Sequence, residues 1–281
     1  MIDKTAVFCI PVKNESSNIK SLFGTLDKIK KSFKDYFIIF VESDSSDNSN
    51  FLIKNFLQNE KGTLLNKSLK DINNRVARLA ISRNEYLKYI KNNNKLLNFD
   101  FLIVLDCGGV NNNLNSDKLE KTILENPEFV GIFPTQSIFY YDIWTLRIKD
   151  LINYDCFDEL FKIYKYEKKN IKKIFYKLIG KFMFINFFIK SNKIKVVSAY
   201  GGMAIYKLNK VIEFTYDSND GKNCEHVEFN KKISNKYGDC LIIDKNLTNS
   251  YGLNIHTINI LLCSISNFFT KKFIKKIICN F

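Results

Sequence analysis

The chain has 281 residues, 46% of them hydrophobic, which is enough to bury one substantial core. Its formal charge of +14 at pH 7 favours anionic partners such as phosphates or an acidic membrane surface. No recognition-helix, zinc-finger or RNA-binding signature accompanies that charge, and no apolar run reaches the roughly 18 residues that span a bilayer, so we expect neither nucleic acid as a partner nor a membrane-crossing segment.

Apolar runs at Ala6–Val12 and Tyr36–Val41 predict two buried strands. Between them, Ser16–Phe33 carries apolar residues at three-to-four spacing, which predicts an amphipathic helix capped by Ser16 or Ser17. A strand, a helix and a second strand in this order indicate the opening of a doubly wound α/β sheet. Ligands bind such sheets beyond the carboxyl ends of the strands.

The remainder of the chain continues the alternation. Helices are predicted at Ser49–Gln58 and Asn73–Lys91, and strands at Phe99–Leu105, Phe129–Phe133 and Leu241–Ile243. Asp142–Lys195 is interpreted as helix or irregular insertion and Val196–Tyr206 as a return to sheet. No internal repeat is present, which excludes a solenoid or propeller.

Polar segments follow the first two predicted strands, where a ligand would bind. Pro11–Ser16 (PVKNES) is either a strand-to-helix turn or part of a binding site. Val41–Ser49 (VESDSSDNS) places Glu42 and Asp44 in one loop. These carboxylates are either solvated loop acids or hydrogen-bond acceptors for a ribose or a base.

Three of the four arginines fall within nine residues, in Arg75–Asn84 (RVARLAISRN). On the predicted helix Arg75 and Arg78 share a face, whereas Arg83 is rotated well away from Arg78. Guanidinium groups suit recognition of a diphosphate. The alternative is a set of solvated helix cations.

Two further segments carry groups that fit catalysis. Ile103–Asn111 (IVLDCGGVN) delivers Asp106 from a predicted strand into a glycine-containing turn, which either lets a ligand approach the backbone or is an ordinary turn. Cys224–Asn230 (CEHVEFN) places Glu225 beside His226, one of only two histidines. That segment is either an ordinary polar stretch or the source of a general base or metal ligand.

Taken in order, PVKNES, the acidic loop, RLAISRN and LDCGG resemble the nucleotide-sugar-binding half of GT-A type glycosyltransferases, close to family 2 and to bacterial surface-polysaccharide transferases. The later FYYDIWTLR, YGGMAIYK, CEHVEFN and GLNIHT resemble the acceptor half of the polysaccharide group. The resemblance implies an α/β, Rossmann-like GT-A fold, a mixed sheet flanked by helices in a single domain. Its extent would be residues 1–257, with a donor half at 1–115, an acceptor half at 116–257, and a basic amphipathic tail at 258–281.

The resemblance also implies roles for single residues. It implies that the nucleotide site is lined by Pro11, Asn14 and Glu15, with Asp44 near the base or ribose in the loop that also holds Glu42. It further implies that the sugar or diphosphate faces Arg78, Arg83 and Asn84. Family-2-like enzymes take their base from a segment similar to Glu225-His226, which makes Glu225 the first choice for the base and His226 the second.

The metal site departs from the family pattern. Asp106 matches the first acid of the family's DxD motif, which binds Mn²⁺ or Mg²⁺, but Gly108 stands where the second acid is expected. Three outcomes are open at this point. Asp106 holds the ion together with the diphosphate and His256 or His226, arginine and lysine replace the ion, or the protein is catalytically weak.

The implied reaction is transfer of a sugar from a nucleotide-diphosphate sugar to a hydroxyl of a surface glycan or lipid-linked acceptor, with inversion of configuration. One alternative is a nucleotidyltransferase built on the same type of sheet. Such enzymes usually carry a glycine-rich loop after the first strand, and PVKNES has no glycine. A second alternative is a non-catalytic relative that has lost the DxD motif.

The seven cysteines are scattered without a paired motif, and the first residues do not resemble a signal peptide. Both features predict a cytoplasmic protein with reduced thiols. Ile171–Lys190 and Thr257–Phe281 mix large apolar residues with repeated lysines. Such stretches either lie in an anionic membrane interface or pack on the catalytic domain. We therefore predict a peripheral protein on the inner face of the membrane.

Overall fold

A computed structural model describes residues 1–166, 182–218 and 223–251. In this part of the chain eight strands form one mixed sheet. The strands are β1 (Ile2–Val12), β2 (Phe33–Glu42), β3 (Gly62–Asn66), β4 (Phe101–Leu105), β5 (Gly131–Gln136), β6 (Lys193–Lys195), β7 (Met203–Lys207) and β8 (Leu241–Ser250). The predicted fold class, a mixed α/β sheet in a single domain, is confirmed.

The spatial order of the strands is β3-β2-β1-β4-β7-β5-β8-β6. Strands β3, β2, β1 and β4 run parallel to one another. Strand β7 runs antiparallel between β4 and β5, while β5 and β8 are parallel and β6 is antiparallel to β8. The carboxyl ends of β1, β2 and β4 therefore meet at one edge, and the loops that leave them lie side by side.

Nine helices of at least four residues lie in the described ranges. They are α1 (Ile19–Ile29), α2 (Ser49–Leu57), α3 (Arg75–Lys91), α4 (Asn94–Leu97), α5 (Ser116–Leu124), α6 (Cys156–Tyr166), α7 (Ile185–Phe188), α8 (Leu208–Val211) and α9 (Glu225–Tyr237). The longest, α3, is capped by Asn74, whose side chain accepts hydrogen bonds from the backbone N–H groups of Val76 and Ala77.

The core has two layers because successive strand residues point to opposite faces of the sheet. On β1, Val7 and Cys9 pack in one layer with residues of α3 and α9. Phe8 and Ile10 pack in the other layer with residues of α1, α2 and α5. All four β1 side chains are fully buried. Helix α3 is thereby fixed against the sheet beside the edge where the strands end.

The helix predicted from Ser16 to Phe33 is shorter at both ends. It begins at Ile19, and the preceding Asn18 makes no side-chain cap, so the predicted serine cap is wrong. The backbone N–H of Ser16 instead donates to an Asp47 carboxylate oxygen at 2.9 Å, which holds this part of the chain against the loop after β2. Phe33 is the buried first residue of β2.

Other boundaries also differ from the prediction. The sheet predicted over Val196–Tyr206 is strand only from Met203, because the turn at Gly201 and Gly202 takes left-handed backbone angles. Strand β3 and helix α5 were not predicted. The proposed tail at 258–281, the candidate ligand His256 and most of the basic stretch at 171–190 lie outside the described residues.

No helix in residues 1–166, 182–218 or 223–251 combines the length and apolar character needed to cross a bilayer.

Candidate active site

A cleft of about 830 Å³ lies at the carboxyl ends of β1 and β4. Most of its lining comes from five segments: the end of β1 with its following loop, the loop after β4, one face of α3, the loop after β5, and the start of α9. The rest of the lining comes from Ser43, Tyr200, Ser250 and Tyr251. The sequence-predicted residues among its lining are Pro11, Asn14, Glu15, Arg78, Arg83, Asp106, Glu225 and His226. Most of the candidate residues thus come together, although they are scattered over more than 200 positions.

The loop after β1 is fastened to the loop after β2. Asn14 adopts a left-handed conformation with φ of 53°, and its side-chain oxygen accepts from the backbone N–H of Ser46 at 2.8 Å. Glu15 accepts from the Asn18 side chain at 2.9 Å, and burial together with the nearby Asp106 charge raises the pKa of its carboxyl group. Asn14 and Glu15 therefore shape the floor beside the end of β1.

The acidic loop after β2 uses its carboxylates to hold its own backbone. Glu42 is buried and accepts from the backbone N–H of Ser45 at 2.6 Å. Asp44 accepts from the backbone N–H of Leu69 at 2.6 Å, a bond that lowers the pKa of the Asp44 carboxyl group. Among the described residues the cleft lining includes Ser43 but neither Glu42 nor Asp44. The two acids order the loop rather than face the cleft.

Helix α3 presents a basic face to the cleft. Arg75 is exposed at its first turn, and Arg78 is partly buried with Nη1 donating to the backbone oxygen of Ile72 at 2.9 Å. Arg83 lines the same cleft despite its rotation from Arg78. Asn84 does not line it, because its amide donates to the backbone oxygen of Tyr216 and accepts from the backbone N–H of the same residue. Asn84 anchors the segment before α9.

Arg83 lies at the centre of the site and only 2% of its side chain is exposed. Its Nε donates to Glu225 Oε1 at 3.1 Å and its Nη2 to Asp106 Oδ1 at 3.3 Å. The guanidinium lies over the rings of Tyr200 and Tyr216, with distances of 5.2 Å and 5.7 Å to their centroids. Its Nη1 is buried and has no hydrogen-bond partner within the described part of the chain. One donor of this buried cation is thus left unpaired.

Asp106, directly after β4, is the single acid left from the DxD-like segment. Its Oδ1 accepts from Arg83 and also from the Tyr200 hydroxyl at 2.9 Å. Gly108 contributes no ligand, and no group of three or more His, Cys, Asp or Glu side chains in the described residues is arranged to hold a metal ion. The side chains that the structure describes therefore do not fit a DxD-type Mn²⁺ or Mg²⁺ site, since such ions need several oxygen ligands.

Glu225 and His226 open helix α9 directly after Cys224. Only 4% of the Glu225 side chain and 2% of the His226 side chain are exposed. His226 stacks on Tyr200 at a centroid distance of 3.6 Å, and neither ring nitrogen has a hydrogen-bond partner among the described residues. Burial, together with the Arg83 charge, holds the pKa of His226 well below its usual value, so the imidazole is neutral at pH 7.

Asp142, in the loop after β5, also lines the cleft and was not singled out from the sequence. It is partly exposed, and its Oδ2 accepts from the backbone N–H of Gly201 at 3.3 Å. Burial and the neighbouring charges of Asp106 and Glu225 raise the pKa of the Asp142 carboxyl group to about 7. The available signal was its place in FYYDIWTLR, where one acid stands among aromatic and aliphatic residues.

Solved structures show which known fold this sheet has. A mannosyltransferase from Pyrobaculum calidifontis, in complex with GDP-Man and Mn²⁺, matches over 98% of this chain and 68% of its own length, with 12% identity and a TM-score of 0.50. This chain has a GT-A fold. The GT-A resemblance inferred from the sequence motifs is thereby confirmed at the level of the fold.

Two more solved structures match with lower TM-scores. S. aureus TarS 1-349 shares 14% identity over 98% of this chain and 69% of its own, with a TM-score of 0.47. Glucosyl-3-phosphoglycerate synthase from Mycobacterium tuberculosis shares 10% identity over 93% and 80%, also with a TM-score of 0.47. No protein-family model matches the chain, and no curated protein matches it significantly.

Proposed function

We propose that the chain is a glycosyltransferase that moves a sugar from a nucleoside-diphosphate sugar to a hydroxyl acceptor. The observation that carries the proposal is the cleft at the carboxyl ends of β1 and β4 in a GT-A sheet, with Arg75 and Arg78 on one wall and Asp142 on another. Cations suit the diphosphate, and a carboxylate suits the acceptor proton. The similar mannosyltransferase carries GDP-Man, a donor of this class.

In the proposed reaction the acceptor oxygen attacks the anomeric carbon from the face opposite the diphosphate. The bond between the anomeric carbon and the diphosphate oxygen breaks, and its electron pair leaves with the nucleoside diphosphate. The acceptor proton passes to a carboxylate. Configuration at the anomeric carbon is inverted.

We assign the proton to Asp142 rather than to Glu225, the residue that the sequence favoured. Glu225 is buried in an ion pair with Arg83, and taking up a proton there would leave the guanidinium with one partner fewer. His226 has both nitrogens buried inside the protein. Asp142 is partly exposed to the cleft, and a base whose pKa lies near 7 is well matched to proton transfer at neutral pH. Glu225 then positions Arg83, and His226 packs beneath Tyr200.

We also propose that the acceptor is a surface glycan or a lipid-linked molecule, and that the protein contacts the inner face of a membrane. Its support is local: on α7 Phe187 and Phe188 expose 64% and 69% of their surface beside the exposed Lys190. Aromatic side chains next to a lysine fit an anionic membrane interface. Co-sedimentation with anionic phospholipid vesicles tests this part, with a Phe187→Ser, Phe188→Ser double variant as the control that should lose binding.

Thermal unfolding with a panel of ligands tests the donor site. UDP, GDP, CDP and their sugars stabilise the folded protein if they bind it, by about 2.7 kcal/mol at a ligand concentration 100 times Kd. We expect a raised Tm with at least one member of the panel and none with the free sugars. An unchanged Tm with every nucleotide would count against a nucleotide-sugar enzyme.

An activity assay separates the alternative function. Release of pyrophosphate from a nucleoside triphosphate and a sugar phosphate would indicate a nucleotidyltransferase instead.

A further inference from the structure

The acid that would begin a DxD metal site is already paired with a cation of the protein. Asp106 Oδ1 accepts from Arg83 Nη2 at 3.3 Å and from the Tyr200 hydroxyl at 2.9 Å. Two positions on, Gly108 supplies no oxygen ligand. A divalent ion placed here would have to compete with a guanidinium that is almost fully buried and cannot lose its proton.

Other cations of the same cleft are free of carboxylate partners. Lys13 follows β1, and Arg75 and Arg78 lie on the first turns of α3. In the described ranges no Asp or Glu forms an ion pair with any of the three, whereas Arg83 pairs with two. The positive charge available to a ligand therefore comes from the end of β1 and the start of α3.

Arg83, by contrast, contributes no net positive charge to the cleft. Glu225 and Asp106 more than offset its charge, and its buried Nη1 has no hydrogen-bond partner in the described residues. That donor is as inaccessible as the two ring nitrogens of His226, so it offers no contact to a ligand in the cleft. The cations that remain for an anionic ligand in the cleft are therefore Lys13, Arg75 and Arg78.

We propose that this protein binds the diphosphate of its donor without a divalent metal ion, with Lys13, Arg75 and Arg78 neutralising it. The Arg83–Asp106 pair fills the position that the ion would need. The inference rests on the proposed function, because it concerns the diphosphate of a nucleotide-sugar donor. Arginine and lysine thereby replace the ion, which is one of the three outcomes that the sequence left open.

Calorimetric titration of UDP and GDP into the full chain tests the inference. We expect the Kd of whichever nucleotide binds to change by less than about 3-fold between 1 mM EDTA and 1 mM Mn²⁺, amounts chosen to exceed the protein concentration. Arg75→Gln and Arg78→Gln should each weaken binding by roughly 5- to 10-fold in EDTA, since each removes one charge-assisted contact. Lys91→Gln is the matched control, an exposed cation at the far end of the same helix.

The reverse substitution sharpens the test. A Cβ built at Gly108 meets no atom within 4 Å, so Gly108→Asp fits the backbone and restores the second acid of the motif. Because Arg83 still pairs with Asp106 in this variant, we expect its Kd, like that of the parent, to change by less than about 3-fold between EDTA and Mn²⁺. Binding at least about 10-fold tighter in Mn²⁺ would overturn the role given to the Arg83–Asp106 pair. Parent binding that is lost in EDTA and restored by Mn²⁺ would overturn the inference alone. Absence of nucleotide binding in both conditions would overturn the proposed function as well.

Discussion

Arg83 on α3 and Glu225 on α9 form a hydrogen-bonded ion pair, Nε to Oε1 at 3.1 Å, although 142 positions separate them in the sequence. Both side chains are almost completely buried. The pair joins the two helices that flank the cleft, and it decides which groups there are free to react.

Breaking the Arg83–Glu225 pair should lower the free energy of unfolding more than it impairs catalysis. Glu225→Gln leaves a buried guanidinium short of one charged partner, which costs about 3–5 kcal/mol when such pairs are broken. Urea denaturation at pH 7 measures the loss. Glu228→Gln, one turn along α9 and partly exposed, is the control and should change the free energy of unfolding by less than about 1 kcal/mol. Equal stability of parent and Glu225→Gln would remove the structural role given to Glu225.

Asp142→Asn should impair catalysis rather than stability. It should lower turnover of a donor by roughly 10²-fold or more while donor binding persists, because no carboxylate is left to take the proton from the acceptor hydroxyl. Measured initial rates and ligand-induced Tm shifts separate the two effects. If Asp142→Asn keeps parental turnover while Glu225→Gln is folded but inactive, the base is Glu225.

The same variant should alter how stability depends on pH. The folded protein holds the pKa of Asp142 near 7, above the ordinary 3.8, so between about pH 4 and pH 7 the folded state binds more protons than the unfolded state. Stability from this group is full at low pH and is lost as pH rises through 7. The Tm of Asp142→Asn relative to the parent should therefore rise from pH 4 to pH 8, and a constant difference would contradict the assignment.

A substitution at Gly202 tests how the loop after β4 is fixed at the site. Its φ is 87°, and a Cβ there would lie 2.2 Å from Val110 Cγ1, in the loop after β4. Its backbone oxygen accepts from the N–H of Asp106 at 3.0 Å. Gly202→Ala should lose at least roughly 1–2 kcal/mol from the backbone angle alone and more from the contact. Adding Val110→Ala should recover only the stability lost through the contact between the new Cβ and Val110. Urea denaturation of the single and double variants measures both parts.

Much of the fold was predictable because its strands are local apolar runs. Strands β1, β2 and β4 and helix α3 were all anticipated within a few residues. Strand β3 was not, since Gly62–Asn66 is short and has only two consecutive apolar residues. The antiparallel direction of β7 depends on pairing with distant β4 and β5, which no local pattern encodes.

The sequence indicated several residues that line one cleft, but not the contacts that each of them makes. Arg83, Asp106 and Glu225 were each chosen from separate motifs, yet their mutual pairing depends on tertiary contacts and leaves none of the three free. Asn84 and Asp44 carry polar groups suited to a ligand, but both bind backbone groups of neighbouring loops. Asp142 was overlooked because a lone acid in an aromatic stretch acquires its raised pKa only once Asp106 and Glu225 are brought near it.

We propose that this cleft splits a nucleotide sugar and transfers the sugar to an acceptor. The most direct measurement is release of nucleoside diphosphate from a panel of UDP-, GDP- and CDP-sugars by the purified full chain in EDTA, with a cell-envelope glycan extract as acceptor. We expect acceptor-stimulated release from at least one donor, reduced about 100-fold or more in Asp142→Asn and unaffected in Lys91→Gln. Release from no donor, in EDTA or in Mn²⁺, by a protein that is folded and thermally stable would contradict it.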